Sequence, residues 1–569
     1  MSTTARRIAL VGLLLVGVQC WLIIGRSQWG HLPHWGLWIV IVALAMWPGW
    51  LEWAREPSPR TRLIVTFAIM IASGAYLYIT AVQQHRDFFL KIEDEHSYAI
   101  QARMLAGGRL WLPAHPAAES FDAPALLVQP VYASMYFPGT ALALVPFVWL
   151  GCAWWVGPLA MSAAATGALY RVTCELLDGV SGLLSALLLV SLSLVRELSL
   201  RLYSQVPMML GVLCLMWAWL VWRRRRDAAS TVLCGAIAGW LVSIRPLDAI
   251  AFVVPVAIAA AVEVRNWRGI ARFGAIALVG AMPFVAMQLI ANRGITGRWT
   301  QTPHAFYAER DFPGMTIGFH SPSSVDALVT RNPAKRREYA AWAPMIAAHT
   351  PASMLPQLFQ KRLPLTASAS LPNNLLLVLI PPALLAMDRR RRVLAAPIVL
   401  FLLLYMVYPF YTFHYVNVIA PCVIVALLCG VRAIEDSWSR WRRQLGAMLM
   451  LSLALLAIIV LPQFDRLAID DRHSPELAAI DTLLHTCRSP AIVLFPDGAV
   501  RERAIAPVFN SDAADIDDAP VIRAHDLPGE DNRRLFDYYA QRQPGRVVYR
   551  YDNGQLVELG SVAKLGGSL

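Results

Sequence analysis

Residues 91–108 read KIEDEHSYAIQARMLAGG. Three acids, Glu93, Asp94 and Glu95, follow directly on a long apolar run and precede a segment that stops at Gly107–Gly108. Acids in a first turn and glycines at the end are the marks of a short helix. Tyr98, Ala102 and Leu105, at i, i+4 and i+7, give that helix an apolar stripe. Taken as structure alone, Asp94 is its N-cap, Glu95 sits in the first turn, and the helix lies on a membrane surface. Taken as chemistry, the cluster is a set of carboxylates at a water–lipid boundary. Which applies depends on the side of the membrane the cluster faces and on what else faces it.

The rest of the chain supplies the membrane. Of its 569 residues 57% are hydrophobic and only 15% charged, and the mean hydropathy is +0.49. That composition excludes an ordinary soluble protein of this length and predicts a polytopic all-α membrane protein. The net charge of +12 is uneven, because acids outnumber bases 17 to 12 from residue 463 onward. Such asymmetry marks two environments and not a nucleic-acid partner. None of the eight cysteines has metal-ligand spacing, so neither a disulfide framework nor a metal site is expected. The first 25 residues have the basic and apolar parts of a signal peptide but no small-x-small cleavage site, and are read as a retained span.

Apolar runs long enough to span occur near 8–25, 35–53, 63–82, 153–172, 181–195, 206–222, 271–291, 371–387, 393–410, 412–431 and 445–462. The stretch 231–262 is too long for one span, and Pro246 in SIRPLDA breaks it into a hairpin of two short helices. Arginines cluster at 6–7, 55–62, 223–226, 265–272, 389–392 and 440–443, and all six clusters are expected in the cytoplasm. They agree with one another when 231–262 goes out and returns and 138–150 is re-entrant or shallow. About thirteen spans result, with the N-terminus inside. The loops 83–137 and 292–370 and the tail then share the outer face, as do the acid cluster and Arg245. We divide the chain into two extra N-terminal helices (1–62), a membrane domain (63–462) and a small C-terminal α/β domain (463–569). In the tail AIVLFPDG and GRVVYRYDNGQLVEL read as strands and NRRLFDYYAQRQ as a helix.

A carboxylate at that boundary, beside cations, suits transfer from a lipid phosphate to a hydroxyl or amine. The carboxylate takes the acceptor proton while bases stabilise the departing phosphate. Arg245 is the candidate phosphate ligand, since its planar fork can grip two oxygens and a charge at that depth is functional by default. Lys91, at the lip of the loop, is the second. The segment ERDFPGMTIGFHSP, 309–322, has the composition of a lid.

These motifs, in this order, resemble the GT-C superfamily of membrane glycosyltransferases. The branch is that of the dolichyl-phosphate-mannose protein mannosyltransferases and the lipid A aminoarabinose transferase. The resemblance lies in the outward acidic pair, SYAIQARMLAGGRLWLP, YASMYFPGTALALVPF, LVSIRPLDA and FHYVNVIAP, and covers roughly 80–460. It implies Asp94 as the catalytic acid with Glu95 its neighbour, and Tyr98, Tyr136, His414 and Tyr415 around sugar or acceptor. Two positions depart from the pattern. Tyr136-Phe137-Pro138 stands where relatives often have two prolines, and His414 where many have Arg, so that position carries no permanent cation at pH 7.

The expected activity is inverting glycosyl transfer from a polyprenyl-phosphate sugar to a lipid, glycan or protein. It would occur on the outer face of a bacterial inner membrane, with the tail periplasmic and no cofactor beyond the lipid-linked donor. Three alternatives stand beside it: a lipid-linked-sugar flippase, an O-antigen polymerase or ligase, and a non-catalytic envelope assembly protein acting through the tail. A flippase would carry repeated halves and charges at the membrane midplane.

Overall fold

The computed structural model describes residues 54–436, 440–465, 474–500, 507–527 and 529–566. The expected spans 8–25 and 35–53 lie outside them. The chain is mainly helical. Helix α1 (Pro59–Gln83) leads to the short α2 (Glu93–Ala106), which carries the acid cluster. Then come α3 (Pro138–Trp149), α4 (Val156–Leu176), α5 (Gly179–Ser191), α6 (Gln205–Arg225), α7 (Ala228–Ile244), α8 (Pro246–Val264) and α9 (Trp267–Thr296).

Among the described residues α1, α6, α8 and α9 are long and apolar enough to cross a membrane. Helix α6 is largely buried within the bundle, whereas α1 and α9 turn apolar rows outward, as helices solvated by lipid do. Leu63, Ile64 and Ile71 of α1 and Leu278, Val279 and Met282 of α9 point outward and are exposed. Outward apolar rows of this extent would aggregate in water, and hydrocarbon satisfies them. The 231–262 stretch is two helices, α7 and α8, parted at Arg245, whose extended backbone (φ −148°, ψ 95°) lets Pro246 open the second.

Other expected spans are less regular. The run 181–195 breaks at Leu192, where the backbone turns extended. The run 371–387 contains a 3-10 turn over Asn374–Leu379 before the short helix Ile380–Ala386, with Pro381 and Pro382 at its start. Prolines at the first turn leave the preceding residues no continuous α-ladder to join. Helices α10 (Pro303–Asp311) and α11 (Pro333–Ala348) belong to the 292–370 loop, and α12 (Arg389–Tyr405), α13 (Ala420–Asp436) and α14 (Arg440–Val460) complete the bundle.

The ends of these helices sort by charge. Arg55 pairs with Asp178 at 3.0 Å and with Glu435 at 3.2 Å, and Arg432 reaches Asp178 at 3.3 Å. The Arg391 Nε donates to the Leu176 carbonyl at 3.4 Å. One end of the bundle thus gathers arginines from three parts of the chain.

At the site end the three polar segments assemble into one body. Strand β1 (Leu112–Pro113), β2 (Leu126–Leu127) and β3 (Val131–Ser134) form a small antiparallel sheet. Lys335 of α11 is buried against it, its ammonium donating to Asp122 at 2.6 Å, Asp311 at 2.8 Å and the Leu126 carbonyl at 2.9 Å. Removing one partner of such a buried set typically costs about 3–5 kcal/mol, so it welds the two loops together.

The tail folds as helix α15 (Pro475–His485), strands β4 (Ala491–Phe495) and β5 (Val521–His525), helix α16 (Glu530–Arg542) and strands β6 (Val547–Asp552) and β7 (Gln555–Ser561). The sheet order is β5-β4-β6-β7. β4 runs parallel to both its neighbours, and β7 returns antiparallel through Asn553–Gly554, both at positive φ. Its core is continuous with Ile100 and Met104 of α2 and with Phe121 and Tyr132 of the first loop.

Reporter fusions after residues 115, 340 and 520 are expected to read as exported, because the segments that carry them pack together and the arginine clusters mark the opposite end. A cytoplasmic reading at 115 would remove the acid cluster from the outer face.

Candidate active site

Helix α2 does not begin as its sequence suggests. Its N-cap is Ile92, and Asp94 lies inside the first turn. The capping group is Glu95, whose carboxylate accepts from the backbone N–H of Lys91 at 3.0 Å and of Ile92 at 3.4 Å. Its other oxygen accepts from Leu202 N–H at 3.3 Å. A buried carboxylate closing three backbone donors is structural work, and Glu95 lines neither of the cavities described below. Asp94 is left for other duties.

The Asp94 carboxylate accepts a hydrogen bond from the Tyr136 hydroxyl. Tyr136 in turn stacks on Tyr98, one turn along α2, with ring centroids 4.5 Å apart. The segment bearing Tyr136 is fixed by Gln101, which donates to its carbonyl at 2.9 Å. The glycine that follows has a steric reason. A Cβ on Gly139 would lie 2.5 Å from the Ser243 backbone, and Trp240 donates to the Gly139 carbonyl at 2.9 Å. The YFPG motif thus docks α3 against the end of α7, two residues from Arg245. Burial, and then the charge of Asp94, hold the Tyr98 and Tyr136 hydroxyls above their ordinary range.

Arg245 is anchored by three contacts. Its guanidinium donates to the buried Asp248 carboxylate at 2.6 Å, to the Ser204 hydroxyl at 3.1 Å and to the Tyr405 hydroxyl at 2.8 Å. It also lies 4.4 Å from the centre of the Tyr415 ring. These bonds engage three of the five N–H donors a guanidinium carries, so two can serve a ligand.

Two cavities of about 450 and 440 Å³ meet at this place. Arg245, Ser204, His304 and Tyr405 line the first; Glu93, Tyr307, Glu338 and Trp342 line the second. Asp94, Tyr136, Met315, Tyr408, His414 and Tyr415 belong to both walls. Of the residues singled out from sequence, Asp94, Tyr98, Tyr136, Arg245, His414 and Tyr415 are brought together in the first cavity. Lys91 is not. It is buried elsewhere, its ammonium 3.1 Å from Asp87, beside a minor recess of about 40 Å³. Lys91, the second phosphate-ligand candidate, thus lines neither of the two main cavities. The 309–322 segment contributes Met315, Thr316 and Ile317 to the first cavity, and Gly318 N–H donates to the Val407 carbonyl at 2.8 Å.

Several residues of the site, His304 and Glu338 on the cavity walls and Asp248 behind Arg245, escaped sequence reading. His304 faces the first cavity, where burial and then Arg245 pull its pKa down to about 4, leaving a neutral ring. Asp248 could have been found from RPLD, since a first-turn acid three residues after Arg245 returns to it. Glu338 carried no local signal. Among the described residues no group of three or more His, Cys, Asp or Glu side chains is placed to hold a metal ion.

No family model matches the chain, and no curated protein matches it. Solved structures do. The chain is similar to ArnT. The apo structure of ArnT from Cupriavidus metallidurans has 14% identity and a TM-score of 0.46, over 86% of this chain and 92% of that one. ArnT bound to undecaprenyl phosphate has 11% identity and a TM-score of 0.46, over 87% and 93%. The Archaeoglobus fulgidus oligosaccharyltransferase, in complex with Zn and sulfate, has 11% identity and a TM-score of 0.40, over 74% of this chain and 55% of that one.

Proposed function

We propose that the protein is an inverting membrane glycosyltransferase that uses a polyprenyl-phosphate sugar. One observation carries the reading: Asp94 stands on the wall common to two cavities, and only the first contains Arg245. A two-substrate transfer needs that plan, with one space for each substrate and a base where they touch. The donor's phosphate lies against Arg245, and the acceptor enters from the second cavity. The Asp94 carboxylate takes the acceptor's proton as its oxygen forms a bond to the anomeric carbon. The bond from that carbon to the phosphate oxygen breaks on the opposite side, and the electron pair leaves with polyprenyl phosphate. Arg245 stabilises the phosphate as its charge grows, held in place by Asp248, Ser204 and Tyr405. Tyr136 fixes the orientation of the Asp94 carboxylate, while Tyr98 and Tyr415 supply flat surfaces beside the sugar.

The transferred unit is a hexose or pentose, and the acceptor a glycan, lipid or protein at the outer face of a bacterial inner membrane. The N-terminus is cytoplasmic and the tail periplasmic. The test is turnover by the purified chain in lipid, across a panel of polyprenyl-phosphate hexoses and pentoses. Release of polyprenyl phosphate from at least one donor is expected. Failure of every donor, by protein that is folded and membrane-inserted, would sink the proposal.

A further inference from the structure

The two cavities differ in charge. Glu93, Asp94 and Glu338 all line the second, from α2 and from α11. Among the described residues lining it, Arg337 is the one Lys or Arg, and both its terminal nitrogens are bound by Asp497, at 2.7 and 2.9 Å. Its charge is neutralised there. One oxygen of Glu338, Oε2, is buried and has no hydrogen-bond partner among the described residues. Buried polar atoms are nearly always paired, so an orphan on a cavity wall points to a ligand that supplies the partner. The remaining wall is largely aromatic, with Tyr307, Trp342 and Phe410.

We propose that the second cavity is an acceptor subsite for an uncharged sugar, and that Glu338 binds its hydroxyls. This rests on the glycosyltransferase reading and adds the class of acceptor. A pyranose has an apolar C–H face, which suits aromatic walls, and a rim of hydroxyls, which suits carboxyl groups. A phosphorylated or carboxylated acceptor would enter beside Glu93 and Asp94 with no uncommitted Lys or Arg among the described lining residues, and like charges in a site of low dielectric repel strongly. Burial, and then the charges of Glu93 and Asp94, push the Glu338 carboxyl well above its ordinary range. A carboxyl shifted that way holds a proton more readily, and a protonated carboxyl donates to a sugar hydroxyl as well as accepting from one.

The test is equilibrium binding to the full chain in nanodiscs. The probes are neutral gluco- and manno-configured tetrasaccharides, the same sugars bearing a phosphate monoester, and, separately, polyprenyl phosphate. One neutral sugar is expected to bind, with its phosphorylated form at least about 10-fold weaker. Glu338→Gln and Glu338→Ala should each weaken the neutral sugar about 10-fold, and Glu338→Arg should reverse the preference. Polyprenyl phosphate binding should be unchanged in the Gln and Ala variants, whereas a structural role for Glu338 would lower binding of both ligands. Equal or tighter binding of the phosphorylated sugar overturns the inference, as does neutral binding indifferent to Glu338. So does a chain that binds polyprenyl phosphate but no sugar. Sugar binding by a chain that does not bind polyprenyl phosphate overturns the donor reading and leaves this one standing.

Discussion

Asp94→Asn is expected to lower transfer about 100- to 10,000-fold, the usual cost of losing a general base, while the protein folds and inserts normally. The structure removes the main competing explanation. Glu95 caps α2, so the helix does not depend on Asp94 for its start. An amide at position 94 also keeps an oxygen to accept from Tyr136, so the wall between the cavities retains its shape. Turnover per folded molecule decides the matter. A near-normal rate in the Asn variant would take Asp94 out of the chemistry and leave it as a first-turn acid complementing the helix dipole.

Arg245→Lys should weaken donor use about 10- to 100-fold, because lysine keeps the charge but loses the fork. The loss should be the same with every acceptor, since the leaving group is common to all. Arg245→Ala should nearly eliminate transfer, but it also strands the buried Asp248 carboxylate, an error that typically costs about 3–5 kcal/mol of stability. A paired Arg245→Ala, Asp248→Asn variant restores neutrality and separates folding from catalysis. Its turnover should remain near zero even when its stability recovers. A Lys variant with wild-type kinetics across a donor titration would mean that Arg245 serves only to anchor α7 to α8.

What the sequence disclosed was whatever depends on neighbours in the chain. The α7–α8 break was legible because proline cannot continue a helix, and the end of α2 because Gly108 at positive φ cannot be replaced cheaply. Asp94, Tyr98, Tyr136, Arg245, His414 and Tyr415, singled out in the sequence, are gathered by the fold around one cavity. Roles that depend on distant partners were hidden. Nothing local separates Glu95, which caps, from Asp94, which faces the cavities; that division follows from the phase of the helix and from Leu202. Lys91 stood at the lip of the loop as an open cation, yet Asp87, four residues earlier in the same loop, neutralises it. Glu338 lies 244 residues beyond Asp94, on a loop whose path only the buried Lys335 cluster determines.

The face of α2 turned away from the bundle rests on the tail. His96 stacks on Phe509 with centroids 4.5 Å apart, its Nδ1 lies 3.2 Å from the Ser511 hydroxyl, and Arg103 donates to the Ser511 carbonyl at 2.7 Å. The helix that presents Asp94 is thus clasped from both sides, by the bundle and by a fold that lies 415 residues further along the chain at the His96–Ser511 contact. A substitution at Phe509 or Ser511 therefore acts on the tilt of α2, and on Asp94 with it, although no described residue of the tail lines either cavity.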